Sequence, residues 1–76
     1  MILQEQQIFG HDVITVVTDS EIIHFFEKDG SWWSTYSLEE LYKGIHGTTS
    51  PYYVGQYEDV CQWINHRSVF GEVINL

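Results

Sequence analysis

The dipeptide Asp29-Gly30 lies between two runs of aromatic and β-branched residues, and it constrains the fold more than any other feature of the chain. An Asp-Gly pair in such a setting is a strong short-range signal for a tight β-hairpin, because both residues tolerate positive φ. The run before the turn spans residues 22–27 and the run after it spans 32–36. The sequence therefore predicts an antiparallel hairpin near the middle of the chain.

A third strand is predicted from the β-branched run Val13 to Val17. A tight turn at Asp19-Ser20 would place Val17 opposite Ile22, and the Asp-Gly turn would place Lys28 opposite Ser31. This register separates the side chains of the sheet into two faces. The first face carries Ile14, Val16, Ile23, Phe25, Trp32, Ser34 and Tyr36. The second face carries Val13, Thr15, Val17, Ile22, His24, Phe26, Trp33 and Thr35. Both are apolar, so the second face needs a cover: the ends of the chain, a partner or a second copy.

Two short helices are predicted after the strands. Ser37-Leu38-Glu39-Glu40 matches a capping box, which predicts a helix that begins after Ser37 and continues to about Ile45. A second apolar periodicity runs from Tyr57 to Ile64, with acidic residues in its first turn. Residues 69–76 alternate partly and would add a fourth strand if they pair.

The predicted fold class is α+β in a single domain over residues 1–76. It consists of one small antiparallel sheet of three strands, or four with the C-terminal segment, and two short helices that both pack on the first face. Twelve aromatic residues support a folded core in so short a chain, because each can bury a large area.

The charge balance limits the classes of partner. Eleven Asp and Glu against three Lys and Arg give a formal charge of -8. This charge disfavours direct binding of nucleic acid or of anionic membranes and favours a basic partner. The start of the chain has no basic and apolar leader, no apolar run is long enough to span a bilayer, and Cys61 is the only cysteine. These features predict a cytoplasmic protein.

No catalytic or metal-binding motif is visible. His11, His24, His46 and His66 lack metal-ligand spacing, no glycine-rich phosphate loop follows a strand, and Cys61 does not share a helix face with His66. We therefore expect no enzymatic activity, no cofactor and no metal, with Cys61 as a packed core residue.

The hairpins would gather acidic residues at two ends of the sheet. Asp12 should lie opposite Glu27 and near Asp29 at one end, and this pairing of like charges would need water, Lys28 or a basic ligand to be tolerated. Asp19, Glu21, Glu39 and Glu40 should gather at the other end. With the second-face aromatic residues Phe26 and Trp33, these acids form the predicted partner-binding set. The simpler interpretation is that the acids only solvate an edge of the sheet.

In size, charge and lack of catalytic motifs the chain resembles the small acidic inhibitors that phages and mobile elements direct against host defence systems, including anti-CRISPR and anti-restriction proteins. The resemblance is one of composition, so it assigns no functional residue. It implies a non-enzymatic inhibitor or adaptor that blocks a basic, nucleic-acid-binding protein, with DNA mimicry as one mechanism. The alternative is a homo-oligomeric structural or regulatory module, a homodimer for example, that buries its second face against a copy of itself.

Overall fold

The computed structural model describes residues 2–68 and 74–75. The elements in chain order are β1 (Ile2–Ile8), β2 (His11–Val17), β3 (Ile22–Lys28), β4 (Ser31–Thr35), α1 (Leu38–Ile45), β5 (Tyr52–Gly55), α2 (Tyr57–Ser68) and β6 (Ile74–Asn75). The fold class is α+β, as predicted, with more strands than the sequence indicated.

One sheet contains all of the strands, in the order β5-β4-β3-β2-β1-β6. The five strands β1 to β5 are antiparallel to their neighbours, and the two-residue β6 runs parallel to β1. Val17 pairs with Ile22, and Lys28 pairs with Ser31. The predicted register of β2, β3 and β4 is therefore confirmed, and with it the division of their side chains into two faces. Of the predicted strand over 69–76, residues 69–73 and 76 lie outside the described residues.

Strands β1 and β5 were not predicted. The turn between β1 and β2 consists of Phe9 and Gly10 with φ of 51° and 78°, much like the 55° and 80° of Asp29 and Gly30. A bulky residue rarely adopts positive φ, so Phe9 gave no turn signal in the sequence. The Phe9 ring lies against α1, with its centroid 5.5 Å from that of Tyr42 and 5.2 Å from that of His46.

The two helices pack on opposite faces of the sheet, so the prediction that both lie on the first face is wrong. On the first face, Val60 and Ile64 of α2 join a buried cluster with Phe25. On the second face, Leu41 of α1 joins a separate cluster with Phe26. Both faces of the sheet are apolar, and one helix on each face removes more apolar surface from water than two helices on the same face could.

The N-termini of both helices are capped by side chains. The Ser37 hydroxyl accepts the backbone N–H of Glu40 at 3.1 Å, as the capping box predicts. The return bond departs from the capping box, because Glu40 Oε2 accepts the N–H of Tyr36, one residue before the N-cap, at 3.2 Å. At α2, Asp59 Oδ2 accepts the N–H of Gln56 at 2.7 Å. These bonds satisfy backbone donors that have no partner inside the helix.

Candidate functional site: an acidic groove on the first face

The helix α2 leaves part of the first face uncovered, and an open groove of about 670 Å³ remains there. We call this cavity the acidic groove. Strands β1, β2 and β3 supply most of its lining, and β4 and α2 supply aromatic rings. The lining residues are Glu5, Gln6, Gln7, Asp12, Val13, Ile14, Glu27, Trp32 and Tyr57.

Three carboxylates reach the groove from three neighbouring strands. Glu5 lies on β1, Asp12 on β2 and Glu27 on β3. Strand pairing explains why they share a face: Glu5 is opposite Ile14, which is two residues from Asp12 on the same strand. The hairpin register predicts that Asp12 and Glu27 lie close together, and the structure places both in this groove.

Hydrogen bonds from neutral groups orient two of these carboxylates. Gln7 Nε2 donates to Asp12 Oδ1 at 2.9 Å, and the backbone N–H of Gly30 donates to Glu27 Oε1 at 3.0 Å. Within the described residues, none of the three groove carboxylates forms an ion pair with a cationic side chain. Their negative charge is therefore not neutralised by the protein itself.

Lys28, which the sequence analysis considered as a possible neutralising group, points to the other side of the sheet. Its Nζ donates to the carbonyl oxygen of Gly44 in α1 at 3.2 Å. Lysine at this position therefore supports the packing of α1 on the second face. It leaves the acidic groove open to a basic ligand or to water.

Two aromatic rings form one wall of the groove. The ring centroids of Trp32 and Tyr57 are 5.7 Å apart, with an interplanar angle of 51°. Trp32 is 8% exposed, whereas Tyr57 is about half exposed at 52%. A hydrogen bond with Cys61 raises the pKa of Tyr57, and the charge of Glu5 contributes a smaller effect in the same direction. Tyr57 therefore presents a neutral phenol beside the carboxylates.

The other predicted acidic residues lie away from the groove lining. Asp29 is exposed in the turn after β3, and Asp19 is exposed in the turn after β2. Glu21 is partly buried next to the turn after β2. These positions agree with the predicted grouping at the two ends of the central strands.

Two acids of the predicted second group have structural partners. Glu39 Oε1 pairs with Lys43 Nζ at 2.9 Å, and this hydrogen bond lowers the pKa of Glu39. Glu40 accepts the backbone N–H of Tyr36. Stabilisation of the start of α1 thus accounts for the placement of both residues.

Phe26 and Trp33 do not offer the open aromatic surface that the sequence analysis expected. Phe26 is 0% exposed beneath α1, so its selection as a contact residue was wrong. Trp33 is partly buried, its ring lies 5.3 Å from Tyr53, and its Nε1–H donates to the carbonyl oxygen of Lys28 at 3.3 Å. The helix that covers the second face explains both results.

Sequence reasoning missed Glu5, Trp32 and Tyr57 as members of a site. Glu5 belongs to a strand that was not predicted. Trp32 and Tyr57 were assigned to apolar faces, one of the sheet and one of α2, and their positions gave no sign that the two rings meet at the rim of a groove. Recognition of β1 as a strand would have identified the acid, since its alternation places Glu5 on the same face as Leu3.

Comparison of the chain with protein-family models, with curated proteins and with solved structures gives no significant match. Within the described residues, no group of three or more His, Cys, Asp or Glu side chains is arranged to hold a metal ion. Among the helices of that same part of the chain, none has the length and apolar character to cross a membrane.

Proposed function

We propose that this protein is a non-enzymatic inhibitor or adaptor that binds a basic, nucleic-acid-binding protein through its acidic surface, with the acidic groove as the central contact. The supporting observation is the set of three groove carboxylates, Glu5, Asp12 and Glu27, which have no cationic partner in the described chain. A basic side chain from a partner would neutralise them where the protein itself does not.

The overall charge supports the same proposal. At a formal charge of -8, the protein attracts positively charged surfaces over a distance of about 10 Å at moderate salt. Surfaces that grip phosphate groups are among the most basic in proteins, and carboxylates fixed on a rigid sheet can occupy such a surface in place of phosphates. Inhibition of the anti-CRISPR or anti-restriction type, including DNA mimicry, is therefore the mechanism that we propose.

A capture experiment with a matched charge variant tests this function. Immobilised wild-type protein and the triple variant Glu5→Gln, Asp12→Asn, Glu27→Gln are exposed to nuclease-treated cell lysate and eluted first with salt and then with duplex DNA. We expect a nucleic-acid-binding protein that the wild type retains, the variant loses and DNA displaces. Retention of the same proteins by both forms would contradict the proposal. The single variants Asp12→Asn and Glu58→Gln each remove one charge, and Glu58→Gln serves as the control because Glu58 lies on α2 outside the groove lining and outside the predicted contact set.

A homo-oligomeric module is the second candidate, and exposed apolar residues around a cavity on the second face favour it. A cavity of about 530 Å³ lies there, with Ile22, Tyr36 and Leu38 in its lining. Each of these three side chains is about half exposed, with values of 49% for Ile22 and 54% for Tyr36 and Leu38. Sedimentation velocity of the wild type and of Leu38→Asp tests this candidate. A concentration-dependent dimer that the substitution dissociates would support it, and a monomer at all concentrations would exclude it.

A further inference from the structure

We infer, on the basis of the proposed function, that the partner adds an extended basic segment to the sheet as a strand beside the outer edge of β1. Strand β1 lies between β2 and the short β6, and β6 pairs with Ile2 and Leu3. Within residues 2–68 and 74–75, no strand pairs with the outer side of residues 4–8. The side chains of residues 4–7 are exposed, so this edge is accessible.

The hairpin geometry shows which backbone groups of β1 face outward. Ile8 pairs with His11 across a two-residue turn, and residues that flank such a turn exchange backbone hydrogen bonds. This bonding alternates along an antiparallel pair, so every second residue before Ile8 also bonds to β2. The N–H and C=O groups of Glu5 and Gln7 therefore point away from β2. Within the described residues these four groups have no partner, and they form a template for one more strand.

The open part of β1 lacks the features that usually block a sheet edge. Such features are lysine, proline, a bulge or a very short strand. At the opposite end of the sheet, β5 has four residues, follows Pro51 and pairs with β4 through a register shift between Trp32 and Trp33. Strand β1 has seven residues, contains neither lysine nor proline, and pairs with β2 in an unbroken register. Of these two strands, β1 therefore offers the better edge for an added strand.

The charge beside the open edge favours a basic segment over a second copy of the chain. Glu5 and Gln7, whose backbone groups face outward, also line the acidic groove with Asp12 and Glu27. A strand added to β1 places every second side chain on this face, and the one opposite Glu5 lies about 5 Å from it. A basic side chain there meets a carboxylate without a cationic partner in the described chain. Strand β1 of a second copy would instead bring another Glu5 and a further net charge of -8.

The side chains on the second face of β1 are uncharged. Gln4, Gln6 and Ile8 alternate with the groove residues, and Ile8 packs against the buried cluster beneath α1. We therefore expect the added strand to place uncharged, β-branched side chains on this face, because these fit a pleated surface. The segment that fits the edge alternates basic and uncharged residues along residues 4–8 of β1.

Hydrogen exchange in the ¹⁵N-labelled full chain tests strand addition. The probe is the peptide Ac-KVKVK-amide, and Ac-EVEVE-amide is the control of opposite charge. At saturation with the basic peptide, exchange of the Glu5 and Gln7 amide hydrogens should slow at least about tenfold. The amides of Gln4 and Gln6, which already bond to β2, should change much less. Absence of slowing at Glu5 and Gln7, or equal slowing with the acidic peptide, would overturn the inference.

Backbone methylation separates strand pairing from charge attraction. Two versions of the basic peptide carry N-methyl groups, one on its lysines and one on its valines, and both keep the charge. Alternate N–H groups of a strand point in opposite directions, so only one version loses its bonds to β1. That version should bind at least about tenfold more weakly than the other. Equal binding of the two versions would show charge attraction without strand pairing and would refute the inference.

Variants of the protein locate the added strand. The N–H of Gln7 faces outward, so Gln7→Pro removes no bond to β2 but should weaken binding of the basic peptide at least about tenfold. Gln7→Ala also loses the side-chain bond to Asp12 but keeps the N–H, so it should bind more tightly than Gln7→Pro. Amide spectra that match the wild type outside β1 would show that both variants are folded. Equal binding by Gln7→Pro and Gln7→Ala would contradict the inference.

A charge variant tests the preference for a basic segment. Glu5→Gln should weaken binding of the basic peptide by about two- to fivefold. Glu58→Gln removes one charge from α2, outside the groove lining, and should leave binding unchanged. An equal effect of the two substitutions would show that only the net charge matters and would overturn the placement beside β1.

The two proposals fail in different ways. If captured partners depend on Glu5, Asp12 and Glu27 but Gln7→Pro retains them as well as Gln7→Ala does, the proposed function stands and the strand-addition inference fails. If the basic peptide protects the edge of β1 but no captured partner depends on these carboxylates, the strand-addition inference stands and the proposed function fails.

Discussion

Replacement of Gly44 by alanine tests the close approach of α1 to the second face. A Cβ at position 44 would lie 2.9 Å from Cζ and 3.5 Å from Cε1 of Phe26, and 3.6 Å from Cγ of Pro51. Carbon atoms at 2.9 Å overlap, so one of the groups must move. Phe26 is 0% exposed and enclosed by its neighbours, so its ring has little space in which to retreat.

Two effects of opposite sign set the magnitude. Alanine is favoured over glycine within a helix by about 1 kcal/mol. Insertion of a methyl group into a filled core costs about 1–3 kcal/mol, because side chains or backbone must shift. The contact lies between a helix and an enclosed aromatic ring, so we expect the second effect to win. Gly44→Ala should lower the free energy of unfolding by about 1 kcal/mol.

Urea denaturation followed by far-ultraviolet circular dichroism measures this change. A double-mutant cycle with Phe26→Leu isolates its cause, since a smaller side chain at position 26 relieves the overlap. Gly44→Ala should therefore be less damaging in the Phe26→Leu background, with a coupling of at least about 0.5 kcal/mol. A stabilised Gly44→Ala variant, or zero coupling with Phe26, would refute this account of the α1 packing.

Three further predictions concern the helix caps and the buried histidine. Ser37→Ala should reduce the free energy of unfolding by about 1 kcal/mol in the same urea assay, while Ser50→Ala, a control outside both caps, should have little effect. Gly55→Ala should cost about 2 kcal/mol or more, because φ is 128° and the new Cβ would overlap the Asp59 carboxylate; an unchanged urea midpoint would contradict this. Burial lowers the pKa of His24 from 6.5, so the unfolded chain binds a proton first as the pH falls. The contribution of neutral His24 to stability is therefore present above pH 6.5 and lost below it. Between about pH 7.5 and about pH 5.5, the His24→Asn variant should lose less stability than the wild type.

Local sequence signals were sufficient for the middle of the chain. The Asp29-Gly30 turn and the alternating residues on either side of it specify the β3–β4 register, because a one-residue slip would exchange the two faces. The capping box likewise predicts the start of α1, since its bonds join residues only three or four positions apart.

The first and fifth strands lacked such signals. Strand β1 contains Gln4 to Gln7, whose polar side chains hide the alternation, and its turn uses Phe9 where asparagine or aspartate is usual. Strand β5 has four residues and follows Pro51 at the end of a connector. Strand β1 pairs with β2 across a two-residue turn, and β5 pairs with β4 on the far side of α1, and the periodicity within each strand reveals neither pairing.

The sequence by itself determined that this is an acidic α+β protein with a two-sided apolar sheet, because those properties follow from composition and from the spacing of neighbouring residues. Tertiary structure decided which face each helix covers, and that choice defines the candidate site. With α1 over Phe26 and α2 over Phe25, one end of the first face remains open beside Trp32. Glu5, Asp12 and Glu27 meet there because β1, β2 and β3 pair side by side. The β2–β3 register follows from local sequence signals, whereas the position of Glu5 and the open part of the face depend on strand pairing and helix packing that no local signal predicts.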